Sequence, residues 1–146
     1  MGGQTERKIR LMTTLTENET QIRDLINNWA KAVREKNMDA ILAFHSDDFV
    51  MYDVPEPFQS VGLEAYRRTW DIFFKYTKPG VFDIHELHVV ADDHVAFAFG
   101  SMQCSDKAGR DDYSPLDFRI TIGLKKINGQ WMILHEHHSI PAAQGQ

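Results

Sequence analysis

The sequence predicts an α+β fold in which N-terminal helices pack into a strongly curved, mainly antiparallel β-sheet. Three observations lead there. Apolar residues recur at helical spacing in the first half of the chain, β-formers dominate from Val81 onward, and turn signals divide that second half into hairpin-linked segments. The chain has 146 residues, enough for one domain that buries roughly 68–70% of its unfolded surface without a disulfide or metal staple.

Residues 1–15 are polar and mixed in charge and read as a flexible N-terminal arm or a short extension of the first helix. The domain is expected over residues 16–141, with 142–146 as a C-terminal tail. Thr16-Glu17-Asn18-Glu19 has the spacing of a capping box, in which hydroxyl and carboxylate satisfy free amides at a helix start. Ile22, Leu25, Ile26, Trp29, Ala30 and Val33 then form one apolar stripe to about Lys36. Asp39 is expected to cap a short second helix, and Asp48 to Asp53 read as a strand ended by Pro55 and Pro57. A third helix, about Leu63 to Tyr76, carries Tyr66, Trp70, Phe73 and Phe74 on one side and stops at Lys78-Pro79-Gly80. Strands are expected over roughly 81–91, 94–105, 112–127 and 130–140, with turns at Ala91 to His94 and at Asn128-Gly129.

Composition excludes several classes. Hydrophobic residues make up 42% and charged residues 25%, the mixture of a globular protein and not of a disordered tail. Lys and Arg total 16 against 21 Asp and Glu, a net charge of −5, which is the wrong sign for neutralising nucleic-acid phosphates. No apolar run spans a bilayer and no secretory h-region opens the sequence. With a single cysteine, Cys104, a cytoplasmic protein is expected, with neither nucleic acid nor membrane as partner.

The terminal segment Lys126-Ile127-Asn128-Gly129-Gln130-Trp131-Met132-Ile133-Leu134-His135-Glu136-His137-His138-Ser139-Ile140-Pro141 resembles the end of SnoaL-like proteins in the nuclear transport factor 2-like superfamily. A second segment, Ser46-Asp47-Asp48-Phe49-Val50-Met51-Tyr52-Asp53-Val54-Pro55, resembles one in the ketosteroid isomerases of that superfamily, with Ser46 in place of an Ala and Val54 inserted before the Pro. The resemblance covers about residues 16–141 and implies a cone-shaped α+β fold with an apolar pocket, and often a second subunit on the convex sheet face. It further implies that Asp53 stands where the isomerases hold the base that moves a proton beside a carbonyl. Their oxyanion hole is not reproduced, since Trp29 and the stretch Ile120, Thr121, Ile122 stand where it would be.

Strand alternation separates Trp131, Ile133, His135 and His137 from Met132, Leu134, Glu136 and His138. Two hairpin registers are open. A two-residue turn sets Ile122 opposite His135, and a three-residue loop with a bulge sets Thr121 opposite His135. The second pairs polar with polar and is the one expected. It puts Glu136 and His138 at the polar end of an apolar pocket, beside Asp53, as candidates for acid–base work. Tyr52, Trp29, Tyr66, Trp70, Phe74, Met102, Ile122 and Leu134 are then candidates for the ligand-binding wall, and Arg119, Thr121, Trp131, His135 and His137 for the convex or interface face. Each aromatic has plain core packing as its alternative, and Cys104 reads as a small buried residue. His135-Glu136-His137 has chelating spacing but no visible third ligand, so no metal and no cofactor are expected. The reading is a protein that binds a small apolar ligand as a homodimer, as an isomerase, hydratase or cyclase working by proton transfer on a small carbonyl or cyclic compound. The alternative is a noncatalytic binding or self-association module.

Overall fold

A helix nucleated by a packed apolar stripe extends as far as its backbone permits, because each added residue contributes one hydrogen bond. This decides where the first helix begins. A computed structural model of the chain describes residues 2–77, 80–104 and 117–142, with residues 2 and 9–15 described by their backbone alone. Helix α1 spans Gly2–Arg34, so the stretch read as an arm or a helix extension is helical and Thr16 lies inside the helix instead of capping it. The Thr20 hydroxyl donates to the Thr16 carbonyl at 3.0 Å, one turn back. No proline interrupts the helix before Arg34. Its stripe is the predicted one, with Ile22, Ile26, Trp29, Ala30 and Val33 all buried.

Helix α2 spans Met38–Leu42 and is capped by Asn37, whose side chain accepts from the Ala40 N–H, and not by Asp39. Strand β1 covers His45–Tyr52, β2 is the short pair Ser60–Val61, and α3 covers Leu63–Tyr76 as the spacing predicts. The Lys78-Pro79 part of the expected stop and residues 112–116 of the third expected strand lie outside the described residues. Strands β3 (Asp83–Ala91), β4 (Val95–Gln103), β5 (Phe118–Ile127) and β6 (Gln130–Ser139) complete one six-stranded sheet in the order β2-β1-β6-β5-β4-β3. The sheet is curved, unclosed and antiparallel except between β1 and β6. In the β3–β4 hairpin, Gly100 approaches a bulge so closely that a Cβ there would lie 2.8 Å from the His85 carbonyl oxygen. No helix among the described residues is long and apolar enough to cross a membrane.

The β5–β6 hairpin follows neither expected register, since Gly123, and not Thr121 or Ile122, lies opposite His135. Asn128 and Gly129 have φ of 50° and 80°, as a two-residue turn requires, and Ile127 pairs with Gln130. The bulge sits further along the strand. Leu124 faces Ile133, but Gly123 faces His135, which leaves Leu134 as the extra residue. One inserted position reverses the strand's alternation. Trp131 and Ile133 therefore face the core before the bulge, and Glu136 and His138 face it afterwards. Trp131, expected on the convex face, is 1% exposed.

Its indole N–H donates to Asn18 Oδ1 at 3.3 Å, which also accepts from Lys126 Nζ at 2.6 Å, while Asn18 Nδ2 donates to the Asp92 carbonyl at 3.1 Å. Asn18 thus ties α1 to two hairpin turns from a fully buried position. Removing it leaves buried donors without acceptors, which costs about 1–3 kcal/mol. Asn18→Ala should lower the unfolding free energy measured by urea titration by that amount without loss of far-ultraviolet helix signal.

Candidate functional site

Alternation along the end of β1 sends Phe49 and Met51 inward, and Asp53, one step past the strand, follows them. Tyr52 consequently points outward. It lies between His135 and His137, at ring distances of 4.7 and 5.5 Å, on the opposite side of the sheet from the cavity. Inside the cone is a cavity of about 350 Å³ lined by Met51, Ala65, Trp70, Phe73, Phe82, Met102, Cys104 and Phe118. Asp53 and His138 also line it and form its acid–base corner.

That corner is the end of a buried chain of polar contacts. Asp53 Oδ1 lies 3.2 Å from His138 Nδ1, His138 Nε2 lies 3.2 Å from Glu136 Oε2, and Glu136 Oε1 lies 3.2 Å from His45 Nε2. His45 Nδ1 faces the Ala43 carbonyl oxygen at 3.0 Å. The Tyr66 hydroxyl donates to Glu136 Oε1 at 3.0 Å and accepts from the Trp29 indole N–H at 3.1 Å. The Trp70 N–H has no hydrogen-bond partner among the described residues.

Burial on its own would favour the neutral forms of these groups. Burial pulls the His138 imidazole down, but its bonds to Asp53 and Glu136 outweigh this and hold it at about 9 against an ordinary 6.5. Burial likewise pushes Glu136 up, and the bonds from His138 and His45 reverse that, bringing it to about 2 from 4.5. Tyr66 is pushed well above its usual value by burial and then by the Glu136 charge, which keeps it a neutral donor. Burial, with Asp117 and Asp53 adding to it, also raises the Cys104 thiol, so Cys104 stays protonated.

Of the residues predicted for chemistry, Asp53, Glu136 and His138 are brought together, but only Asp53 and His138 meet the cavity. Glu136 is fully buried behind His138. Of those predicted for the wall, Trp70 and Met102 line it. Trp29 and Tyr66 are core residues behind it, and Ile122 is buried opposite Glu136. Phe74 stacks on Trp70 at 5.8 Å and leaves the wall to its neighbour Phe73. Leu134 is removed from the wall by its place in the bulge. Arg119, Thr121, His135 and His137 lie on the convex side, with Arg119 Nε donating to Ser139 Oγ at 3.0 Å and His135 Nδ1 2.7 Å from the Val50 carbonyl. His85 and His88 do not pair, since His85 contacts Gln103 and His88 stacks on Phe99.

Sequence reasoning missed His45. Alternation carried backward from Asp53 does not single it out, because Asp47 in the same phase is exposed and the β1–β6 register shifts between His45 and Val50.

The SnoaL-like domain family matches residues 22–143. Among solved structures, a nuclear transport factor 2-like protein of unknown function from Pseudomonas putida KT2440 is 32% identical, with a TM-score of 0.79 over 89% of this chain and 91% of that one. A ketosteroid isomerase-like protein from Erwinia carotovora atroseptica is 19% identical, with a TM-score of 0.63 over 84% of this chain and 96% of that one. A cystatin-like fold protein of unknown function from Nostoc punctiforme is 13% identical, with a TM-score of 0.70 over 87% and 93%. The last two likenesses bear on the fold alone. No curated protein matches the chain.

The shifts carry a sign for stability. His138 is raised on folding, so its contribution is complete below about 6.5 and is lost as pH rises through about 9. Glu136 is lowered, so its contribution is complete above about 4.5 and is lost as pH falls through about 2. The denaturant midpoint should therefore decline from pH 6 toward pH 9. Equal midpoints at those two pH values would show that His138 is not held protonated.

Proposed function

The chain belongs to the SnoaL-like domain family of the nuclear transport factor 2-like superfamily, and on that premise we propose that it binds a small apolar compound in the cone and moves a proton on it. The reaction class is isomerisation, hydration or cyclisation of a small carbonyl or cyclic compound. The observation that carries this reading is the Asp53–His138 pair at one corner of a cavity whose wall includes Trp70, Phe73, Phe82, Phe118, Met51 and Met102, with Ser60, Thr69, Glu56 and Arg68 also on its lining. An apolar wall desolvates the ligand and strengthens the charges it meets.

Asp53 is the group that touches the ligand. Among the described residues its Oδ1 accepts from the Val54 N–H at 2.8 Å and faces His138. This leaves Oδ2 for a ligand proton. In this reading Oδ2 removes a hydrogen from the carbon beside a carbonyl and returns it to the same or a neighbouring atom, while His138 balances the carboxylate's charge and fixes its plane. The missing isomerase oxyanion donors argue against steroid isomerisation itself. A single unpaired, buried Cys104 suits a reducing compartment, and we assign the protein to the cytoplasm.

The test is hydrogen exchange in deuterated water on a panel of small cyclic ketones, followed by proton NMR. The protein should accelerate exchange at the carbon beside the carbonyl, and Asp53→Asn should reduce that rate by about 100-fold or more while ketone binding, read by quenching of tryptophan fluorescence, persists. Unchanged exchange and binding in both Asp53→Asn and His138→Ala would defeat the assignment.

A separate observation favours self-association. On the convex face Val95, Phe97 and Phe99 are 58, 47 and 41% exposed, and His88, Phe99 and Phe97 form a continuous stack. An exposed apolar sheet face of this kind suits a second copy of the chain. Light scattering at micromolar concentration should give a dimer, and Phe97→Asp should give a monomer. A monomeric wild type would overturn the homodimer.

A further inference from the structure

His45 is a buried titratable residue that does not touch the cavity, yet it shares a carboxylate with the histidine that does. Its side chain is 0% exposed, as is that of Glu136. Packing alone does not account for this placement, because a phenylalanine would fill the aromatic nest of Phe49 and Tyr66 around it, at 5.0 and 4.8 Å, without bringing a polar group into the core.

We propose that His45 is a positioning residue that sets the proton affinity of His138 through Glu136, so that Asp53, His138, Glu136 and His45 exchange protons as one unit. The inference deepens the acid–base reading of the cavity, on which it rests.

Donor arithmetic carries it. The Ala43 carbonyl can only accept, so His45 Nδ1 holds its hydrogen. The Trp29 indole can only donate, so the Tyr66 hydroxyl directs its own hydrogen to Glu136 Oε1. His45 Nε2 faces that same oxygen at 3.2 Å. Two lone pairs cannot oppose each other there without repulsion, so one proton lies between them, on the ring or on the carboxyl. In either position the His45–Glu136 pair carries no net charge. On the other side, His138 faces two carboxylates through its two ring nitrogens and needs both hydrogens. Two carboxylates and two fully protonated rings sum to zero, the condition under which charges tolerate burial.

The remaining titratable groups around the cluster are Tyr66 and Arg68 from α3, Cys104 after β4, Asp117 before β5 and Glu56 in the loop after β1. Arg68 is paired with Glu64 at 3.8 Å on the exposed side of α3. Of these groups only Tyr66 meets the contact between His45 and Glu136, through the hydrogen it gives to the same Oε1, and it does so as a neutral donor.

The experiment is an NMR pH titration of the His138 ring in four proteins: wild type, His45→Gln, Glu136→Gln and the double variant. His45→Gln keeps an amide donor toward Glu136 but removes the pair's neutralising proton, so the His138 midpoint should rise by about one pH unit. Glu136→Gln should lower that midpoint by at least about as much. In the double variant the His45 substitution should have no further effect, because its route runs through the carboxylate. An unchanged midpoint in His45→Gln would reduce His45 to a packing residue, and an equal rise with and without Glu136 would break the route. If a variant fails to fold, the wild-type spectrum decides. It should contain an exchange-protected proton in contact with His45 Nε2, and its absence overturns the inference. These readings need no ligand. A His138 that responds as stated in a protein that exchanges no ketone hydrogen would sink the proposed activity and leave this inference standing.

Discussion

Glu136 is the constraint around which the rest of the site is arranged. A carboxylate removed from water is tolerated only when donors surround it, and here three converge on it: the rings of His45 and His138 and the phenol of Tyr66. Each comes from a different part of the chain, since His45 opens β1, Tyr66 lies on α3 and His138 ends β6. Satisfying one buried charge therefore fixes how the parallel β1–β6 pair sits under the third helix. It also fixes the orientation of His138, the only one of the three donors that reaches the cavity.

The cavity itself is chemically plain. Six aromatic and thioether side chains contribute to its wall, with Asp53 and His138 together at one corner and Glu56, Ser60, Arg68 and Thr69 also on the lining. Such a wall gives little discrimination among apolar ligands of similar size, and specificity would fall on where a ligand presents an acidic hydrogen or an acceptor. The fold does not choose the chemistry, because the same curved sheet carries enzymes and non-enzymes. The choice comes from the side chains at the corner, where Asp53 and His138 differ from a purely hydrophobic lining.

Much of the fold was legible from periodicity. The α1 stripe from Ile22 to Val33 and the bounds of α3 followed from helical spacing, and the Asn128-Gly129 turn followed from its two residues' tolerance of positive φ. Helix starts were less legible. A capping box at Thr16 is only a local preference, and a continuous helical backbone overrode it. The site was legible in part, and for a definite reason. Asp53 was singled out by the family resemblance and Glu136 and His138 by strand parity, and the structure places the three in one chain of contacts. Trp131 and Leu134 were misplaced because parity was carried across the bulge unbroken, and Tyr52 because it was grouped with its neighbour Asp53 instead of being set against it. His45 carried the quietest signal, since it precedes the residues that looked like a strand.

The extra residue at Leu134 also bears on how relatives of this chain can be compared. Inward-facing positions before and after it belong to different phases, so the two halves of β6 keep separate numbering of inside and outside. A homologue with one residue fewer there could match this chain letter by letter over the His135–His138 segment and still present the opposite faces to its interior. Placing a gap at that point is thus a structural decision, and an alignment that ignores it would transfer acid–base roles to solvent-facing histidines.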